Sequence, residues 1–392
     1  MKLFEVVSLF TYGFSKLIPK KKNRWIFGAW FGNAFSDNTK ALYDYVEANH
    51  PEIERVWISS DPAKADLPGC KVVKRNSFSS LKYILTANVA VMNQGFGDFA
   101  AFSFLGGAYK VQLWHGVAWK KIGRDAVPHL HGFYEKIYQL INHYDLYIAP
   151  SRKYGETLKT AFKTDDSHIL YVGQPRNEVL FSKVFKNESR IKIEKKTGIS
   201  NKRIIAYMPT FRDKTSEVFS FHKIGTDARF LEAAEKHDFI VVEKLHYKNG
   251  QRAEIADEKN RVYSFPDVDA ATLLGAADLL ITDYSSCFFD YLITDKPVIH
   301  FAYDYEYYKN KDRGLYYDIS EVAAGTVVNN EEELIAAIDD NLRNDPGKKQ
   351  RARVREQFIT FESDHNCERV FKTIEEHLSM TNEQHGKKRR KK

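Results

Sequence analysis

Two histidines stand where a side chain could move a proton during a reaction. His115 follows a predicted strand at residues 109–113 and precedes Gly116, whereas His246 follows a predicted strand at residues 239–243. Imidazole titrates near neutral pH, and a glycine lets the backbone approach a ligand closely. Two such histidines from the two halves of a chain suit a transfer reaction, in which one takes a proton and the other stabilises a phosphate. Either histidine alone would more often be structural.

Residues 279–290 are predicted to bind an anion. Residues 279–281 form an apolar run typical of a buried parallel strand, and a helical pattern begins at Cys287. Ser285 and Ser286, between them, are residue types that begin helices. The N–H groups of a helix N-terminus, the positive end of its dipole and two hydroxyls would bind an anion. We interpret this stretch as a phosphate site, and an ordinary capped turn is the alternative.

Basic and polar residues follow two further predicted strands. Arg176 lies in a Gly-Gln-Pro-Arg-Asn segment and offers a planar fork that suits phosphate, unless it pairs with a nearby carboxylate. Thr210 and Arg212 follow Pro209, which ends a strand, and they can face a ligand. Arg212 could equally form an ion pair with its neighbour Asp213.

The elements that must position these residues form two series of strands separated by helices. Such alternation predicts parallel sheets that bind ligands at the carboxyl ends of their strands. We therefore predict an α/β fold with two doubly wound domains facing a cleft and an N-terminal amphipathic helix. The predicted strands cover residues 25–30, 55–59, 71–74, 89–93, 109–113, 146–149 and 169–172, then 204–208, 239–243, 262–265, 279–281, 298–301 and 326–328.

The domain boundaries follow from composition. The chain of 392 residues is too long for one small core. We predict an amphipathic, membrane-associating helix at residues 1–22, a first α/β domain at 23–182, a second at 183–380 and a basic tail at 381–392. Residues 331–342 and 349–378 are predicted to be helical.

Charge is concentrated at the two ends of the chain. The net charge is +7, but residues 1–25 and 381–392 each hold six Lys and Arg residues against one Glu, so the body between them is net negative. This pattern argues against nucleic acid as a partner and suits an anionic membrane surface or polymer. A solvated tail is the alternative for residues 381–392.

The three cysteines have no metal-site spacing. They stand far apart and form no Cys-x-x-Cys pair, which fits a reducing cytoplasmic compartment and no structural zinc. We accordingly predict no metal and no cofactor.

The first twenty residues carry apolar side chains at the spacing of one helix face. No run is long enough to span a membrane, and no signal-peptide cleavage site is present. The helix would lie on a membrane surface at the cytoplasmic face, or pack on the body of the protein. The apolar positions are Leu3, Val6, Val7, Phe10, Phe14 and Leu17.

In combination, these motifs resemble those of the CDP-glycerol glycerophosphotransferase family, the teichoic-acid polyol-phosphate transferases. The resemblance runs from about residue 24 to residue 378. It is carried by Ser36-Asp37-Asn38, Trp114-His115-Gly116, Gly173-Gln174-Pro175-Arg176-Asn177, Pro209-Thr210-Phe211-Arg212-Asp213, Thr282-Asp283-Tyr284-Ser285-Ser286 and Arg313-Gly314-Leu315-Tyr316-Tyr317-Asp318.

The resemblance implies a GT-B-type fold of two Rossmann-like domains, with the acceptor domain at 23–182 and the CDP-polyol-binding domain at 183–380. It also implies a function and a set of site residues. Members transfer glycerol phosphate from CDP-glycerol to a hydroxyl of a lipid-linked acceptor, release CMP and need no metal. The resemblance makes His115 and His246 the paired catalytic histidines. The substrate-binding residues we predict are Trp114, Gly116, Val117, Ala118, Arg176, Pro209, Thr210, Arg212, Lys244, Leu245, Asp283, Ser285, Ser286 and Asp290.

Several alternatives stay open at this point. The segment after His115 reads Val117-Ala118-Trp119, where family members commonly have Thr-Pro-Leu, so the polyol and the acceptor are less defined than the reaction. The donor could be CDP-ribitol, the acceptor a saccharide or a polyol phosphate, and the product a wall teichoic acid or a capsule. The other possible functions are those of a nucleotide-sugar glycosyltransferase of the same fold and of a membrane-bound scaffold.

Overall fold

The computed structural model describes residues 2–63, 70–127, 132–210, 219–245, 255–311 and 314–390. The chain forms two compact units. Unit 1 comprises Met1–His115, Gly123–Glu178 and Phe361–Lys392, and unit 2 comprises Gly116–Ile122 and Val179–Thr360. Each unit is therefore discontinuous in sequence, whereas the predicted domains were continuous.

Unit 1 is built on seven parallel strands in the order β3-β2-β1-β4-β5-β6-β7. The order reverses between β1 and β4, and doubly wound sheets bind ligands at the carboxyl ends of their strands beside such a reversal. The strands are β1 (Lys21–Gly28), β2 (Glu54–Ser59), β3 (Lys71–Lys74), β4 (Ala87–Met92), β5 (Tyr109–Gln112), β6 (Leu146–Ala149) and β7 (Ile169–Tyr171).

Helices cover this sheet and bury its apolar faces. Trp25 and Phe27 of β1 pack in one cluster with Leu42 and Tyr43 of α2. A capping box between Ser77 and Ser80 begins α3. The helices of this part of unit 1 are α1 (Lys2–Ser15), α2 (Asp37–Asn49), α3 (Phe78–Thr86), α4 (Phe133–Ile141) and α5 (Arg152–Phe162).

Unit 2 repeats this plan with seven strands in the order β10-β11-β9-β8-β12-β13-β14, of which only the edge strand β10 is antiparallel. Here the order reverses between β8 and β12. The strands are β8 (Arg203–Tyr207), β9 (Phe239–Glu243), β10 (Ile255–Asp257), β11 (Val262–Ser264), β12 (Leu279–Thr282), β13 (Val298–Phe301) and β14 (Thr326–Val328).

The helices of unit 2 are followed by a last helix that returns to unit 1. Val370, Phe371 and Ile374 of α14 are buried in the same cluster as Trp25, so packing on the first sheet assigns this helix to unit 1. The helices are α6 (Lys183–Thr197), α7 (Ala228–Lys236), α8 (Ala270–Ala276), α9 (Cys287–Tyr291), α10 (Tyr305–Lys311), α11 (Ile319–Val322), α12 (Glu331–Asn344), α13 (Lys348–Phe358) and α14 (Asn366–Arg390).

The predicted fold class, α/β with two Rossmann-like sheets, is confirmed. The continuous helix predicted at 349–378 is wrong, because the chain leaves the helix after Phe358 and starts α14 at Asn366. Within the break, the carboxylate of Glu362 accepts hydrogen bonds from the backbone N–H of Gln174 and the amide of Asn177. These bonds to unit 1 explain why the helical pattern is interrupted there.

Helix α1 docks on unit 1 through its polar side. Ser15 Oγ accepts a hydrogen bond from the Gly106 N–H at 2.8 Å, and Thr11 Oγ1 donates to the Ser103 carbonyl at 2.7 Å. The apolar side faces outward, with Phe10 75% exposed and Leu17, just past the helix, 78% exposed. Among the described residues, no helix is long and apolar enough to cross a membrane.

Candidate active site

The turn that follows β5 presents His115 at the carboxyl end of the first sheet. Trp114 has a φ of +52° and Gly116 a φ of +124°, both in the left-handed region. That region is unfavourable for a bulky residue such as tryptophan, and such conformations concentrate at functional sites. The Trp114 N–H donates to Gln112 Oε1 at 3.0 Å, which helps to hold the turn.

The ring of His115 is oriented by its neighbours. Nδ1 lies 3.3 Å from the carbonyl oxygen of Asn93 and 3.3 Å from Nε2 of Gln94. The rings of Trp30 and Trp114 pack against it with centroid distances of 5.0 and 4.7 Å. Because a carbonyl only accepts and an amide N–H only donates, the Asn93 contact requires a proton on Nδ1, whereas the Gln94 contact requires Nδ1 without one. In the tautomer that the Asn93 contact selects, Nε2 is the proton-accepting nitrogen.

Two of the predicted motifs meet below this turn. The buried Asn38 amide reaches the carbonyls of Leu113 and Trp114 at 3.1 and 3.0 Å, and its Oδ1 accepts the Arg176 N–H at 3.1 Å. Arg176 Nη1 pairs with Asp37 Oδ1 at 2.7 Å. Arg176 therefore forms an ion pair, which was the alternative to phosphate binding. Asn38, Asp37 and Arg176 together hold the turn that carries His115.

The residues directly after His115 pack inside unit 2. Val117 and Ala118 are buried, and Trp119 Nε1 donates to the Tyr317 carbonyl at 2.8 Å. Lys121 N–H donates to the Gly314 carbonyl at 3.0 Å. Any influence of Val117 and Ala118 on substrate would therefore act through packing, while Gly116 provides the backbone freedom between Trp114 and this segment.

In unit 2, polar groups gather where the strand order reverses. Thr282 Oγ1, at the end of β12, donates to the Met208 carbonyl at 2.7 Å. The N–H and hydroxyl of Thr210 donate to Asp283 Oδ1 at 2.7 and 2.6 Å. Pro209 and Asp283 are buried. The Asp283 carboxylate thus ties the ends of β8 and β12 together at the place where such sheets bind ligands.

The phosphate site predicted at Ser285 and Ser286 lies on this edge, with a weaker helix than expected. Both serines are partly exposed, and Ser285 Oγ accepts from the Cys287 N–H at 3.4 Å. Helix α9 has only five residues, and Ser286 makes no side-chain cap bond. Because dipoles add along a helix, five residues contribute little, so the hydroxyls and N–H groups carry the predicted role. Asp290 lies on α9 and is buried.

The end of β9 places Lys244 beside a buried carboxyl group. Lys244 Nζ donates to the carbonyls of Pro266 and Val268 at 3.1 and 2.5 Å, and burial lowers its pKa. The preceding Glu243 is fully buried, and burial raises its pKa to about 7. Its Oε2 accepts from Ser220 Oγ at 2.9 Å. Leu245 is buried next to Lys244.

Two predicted residues, Arg212 and His246, lie outside the described residues, so the pairing of His115 with His246 stays a prediction. In the part of the chain that the structure describes, no group of three or more His, Cys, Asp or Glu residues could hold a metal ion.

Sequence analysis missed a buried carboxylate that organises the His115 site. Asp98 accepts hydrogen bonds from the backbone N–H groups of Phe31, Asn93 and Gln94 at 2.7, 3.0 and 2.8 Å. Burial raises its pKa to about 6. The available signal was the Gly- and Phe-rich stretch at 94–108, which contains a single Asp.

These features define a class of protein. Two Rossmann-like sheets, each with polar and titratable side chains at the carboxyl ends of its strands, are typical of GT-B-type transferases. A family model for CDP-glycerol:poly(glycerophosphate) glycerophosphotransferase matches residues 10–376, and the chain belongs to this family. The family predicted from the sequence motifs is confirmed.

Characterised relatives agree with this assignment. A teichoic acid poly(glycerol phosphate) polymerase of Bacillus spizizenii is 30% identical over 337 residues, which covers 82% of this chain and 84% of the relative. A teichoic acid glycerol-phosphate transferase of Staphylococcus aureus is 28% identical, covering 82% and 85%. The chain spans only 44% of the corresponding Bacillus subtilis polymerase.

Solved structures show the same fold. A structure of the wall teichoic acid polymerase TagF superposes with a TM-score of 0.79 at 22% identity, covering 97% of both chains. A UDP-GlcNAc 2-epimerase from Neisseria meningitidis superposes with a TM-score of 0.56 at 13% identity, covering 90% of this chain and 99% of the epimerase.

Proposed function

We propose that this protein transfers glycerol phosphate from CDP-glycerol to a hydroxyl of a membrane-linked acceptor and releases CMP, as a step in teichoic acid synthesis. One observation carries the proposal. In a chain of the glycerophosphotransferase family, His115 stands at the carboxyl end of β5 with its Nδ1 held 3.3 Å from the Asn93 carbonyl, and with Nδ1 protonated its Nε2 accepts a proton.

In the reaction we propose, His115 Nε2 takes the proton of the acceptor hydroxyl. The acceptor oxygen forms a bond to the β-phosphorus of CDP-glycerol, and the bond from that phosphorus to the bridging oxygen breaks. The bridging oxygen leaves as part of CMP. Phosphoryl transfer depends mainly on positioning and on stabilising charge at the phosphorus, which is the role assigned to the residues of unit 2.

The donor is assigned to the reversal between β8 and β12. Ser285 and Ser286 offer hydroxyl donors for its phosphates, and Asp283 holds Thr210 beside them. On the family resemblance, we propose that Pro209, Lys244 and Asp290 belong to the same site. Arg212 and His246 complete the assignment as predictions from the sequence.

We further propose that the protein acts at the cytoplasmic face of the membrane through α1. The supporting observation is the inverted packing of this helix, whose polar side is buried while Val6, Phe10 and Phe14 are exposed. Exposed Lys16, which directly follows α1, and exposed Lys22 add positive charge, whereas Lys21 pairs with Glu54 at 2.8 Å. An exposed apolar face with adjacent cations is typical of helices that lie in the membrane interface.

The test is CMP release by the purified protein with CDP-glycerol, CDP-ribitol or a UDP-sugar, each with and without a lipid-linked saccharide acceptor. Acceptor-dependent CMP release with CDP-glycerol supports the proposal. Preference for CDP-ribitol would correct the donor, and two relatives are poly(ribitol phosphate) polymerases at 24% and 29% identity. Cleavage of the UDP-sugar alone would favour a glycosyltransferase, and no cleavage would favour a scaffold.

A further inference from the structure

The turn that follows β1 has a backbone that bulky residues rarely adopt. Trp30, Phe31 and Gly32 have consecutive φ values of +50°, +57° and +80°. Glycine enters this left-handed region at no cost, but tryptophan and phenylalanine do so only where the surroundings determine the conformation. Contacts with surrounding residues must therefore stabilise the left-handed backbone of this turn.

Buried side chains from the next loops provide that support. The Trp30 N–H donates to Asn93 Oδ1 at 3.0 Å, and the Phe31 N–H donates to Asp98 Oδ1 at 2.7 Å. Both acceptors are completely buried. On the other side, the Ser60 N–H donates to the Gly32 carbonyl at 2.7 Å. The unfavourable backbone of the turn is thus fixed at three consecutive residues.

The same support also sets the position of His115. Oδ2 of Asp98 accepts from the N–H groups of Asn93 and Gln94, and both of these residues lie 3.3 Å from His115 Nδ1, through the Asn93 carbonyl and the Gln94 side-chain amide. The ring of Trp30 lies against the ring of His115. Asp98 and Asn93 therefore hold the aromatic turn and the histidine in one fixed geometry.

The aromatic side chains of this turn are exposed to solvent. Trp30 is 36% exposed and Phe31 is 51% exposed, although both are large and apolar. Exposed aromatics on an unfavourable backbone bring the fold little stability. A binding site gains from them, because a surface that is already fixed loses little conformational entropy when a ligand binds.

We propose that the Trp30–Phe31 turn binds an uncharged sugar ring of the acceptor and presents one of its hydroxyls to His115. This inference rests on the proposed function and names the acceptor class. The apolar C–H face of a sugar ring packs well on an aromatic face. A phosphodiester does not, because the face of an aromatic ring carries negative charge density. The neighbouring cation Arg75 donates its Nε–H to the Gly97 carbonyl at 2.9 Å, as part of the support.

The first experiment compares two acceptors, a lipid-linked disaccharide and the same lipid already extended with glycerol phosphate units. Trp30→Ala and Phe31→Ala should each raise the KM for the disaccharide acceptor at least about tenfold while leaving the KM for CDP-glycerol unchanged. Trp30→Phe should recover most of the affinity, because it retains an aromatic face. Phe78→Ala is the matched control, since Phe78 is an exposed phenylalanine of unit 1 on α3.

A second measurement detects binding without turnover. Saturation-transfer NMR with the free disaccharide should show transfer to the ring protons of the sugar in the wild-type protein, and this signal should fall in Trp30→Ala. An unchanged disaccharide KM in Trp30→Ala and Phe31→Ala, together with an unchanged NMR signal in Trp30→Ala, would overturn the inference. An equal loss with the glycerol phosphate acceptor would also overturn it. If the wild-type protein binds the disaccharide but releases no CMP with any donor, the proposed function is wrong, whereas the inference that the Trp30–Phe31 turn binds a sugar ring is retained.

Discussion

The carbonyl oxygen of Asn93 lies 3.3 Å from Nδ1 of His115, and when Nδ1 donates to this carbonyl, Nε2 is the ring nitrogen that accepts a proton. The carbonyl is itself fixed, because the N–H of Asn93 donates to the buried Asp98 at 3.0 Å. A loop after β4 thereby prepares a histidine after β5 for acid–base chemistry. Such support from a second layer of residues is a common way of fixing a catalytic group.

We expect Asp98→Asn to lower kcat at least about tenfold with the KM for CDP-glycerol unchanged. Asparagine would turn an N–H donor toward N–H groups, and a hydrogen bond to a charged group contributes about 1.5–3 kcal/mol. Steady-state kinetics with varied CDP-glycerol test this. Asp145→Asn is the control, because Asp145 also accepts a backbone N–H, from Lys110 at 2.8 Å, but precedes β6 rather than following a strand. Wild-type kcat in Asp98→Asn would remove Asp98 from the account.

The double variant Ser285→Ala/Ser286→Ala should lower kcat/KM for CDP-glycerol by about 10- to 100-fold, the effect of losing two hydrogen bonds to charged oxygens. Stability should change little, because Ser286 makes no cap bond and the bond to Ser285 is long. Kinetics and thermal unfolding of one preparation separate the two effects. Ser320→Ala, in the first turn of α11, is the control. A loss of unfolding free energy as large as the loss of transition-state stabilisation calculated from kcat/KM would support the alternative, in which the two serines only cap a turn.

The double variant Phe10→Glu/Phe14→Glu should abolish binding to anionic vesicles while thermal unfolding stays unchanged. Burying a phenylalanine contributes about 1.5–3 kcal/mol, so losing two should weaken partitioning at least about 100-fold. Cosedimentation with phosphatidylglycerol vesicles measures this, and binding should also weaken as salt rises. Phe78→Glu is the control. Vesicle binding that survives in the double variant would place the membrane contact elsewhere.

Glu243→Gln should stabilise the protein above pH 7 but not below pH 5. Burial raises the pKa of Glu243 from 4.5 to about 7, so its contribution to stability is complete below pH 4.5 and is lost as pH rises through 7. The loss is on the order of 3 kcal/mol. Glutamine stays neutral and can keep the contacts with Ser220 and Phe221, while His222 Nε2 lies 3.8 Å away.

The measurement is the urea-unfolding free energy of both proteins at pH 5.0 and pH 8.5. The exposed Glu258→Gln variant should show no such difference between the two pH values. Equal stabilities of wild type and Glu243→Gln at pH 8.5 would mean that the charged carboxylate is accommodated without cost.

The predicted strands were accurate because buried parallel strands are continuous apolar runs, as in β9 and β13. The three-residue edge strand β10 was missed because Ile255–Asp257 is short and only partly buried. The return of α14 to unit 1 was also missed, since helical periodicity identifies a helix but not the sheet that it packs on.

Sequence analysis could propose site residues where the polar residue comes shortly after a predicted strand in the sequence, as at His115 and Ser285. Asp98 was missed because its role depends on backbone groups from the loops after β1 and β4, which no local pattern brings together. The ion pair of Arg176 with Asp37 is another long-range result, since it joins residues 139 positions apart.

The most direct test of the account is acceptor-dependent CMP release by His115→Ala with CDP-glycerol, with donor affinity measured separately by calorimetry. His168→Ala is the matched control, because its Nδ1 also faces a backbone carbonyl, that of Asp145 at 3.1 Å, but His168 precedes a strand. We predict that His115→Ala lowers kcat at least about 100-fold, as expected for loss of a general base, and leaves the CDP-glycerol Kd unchanged. A kcat within a few fold of the wild-type and His168→Ala values would contradict the account.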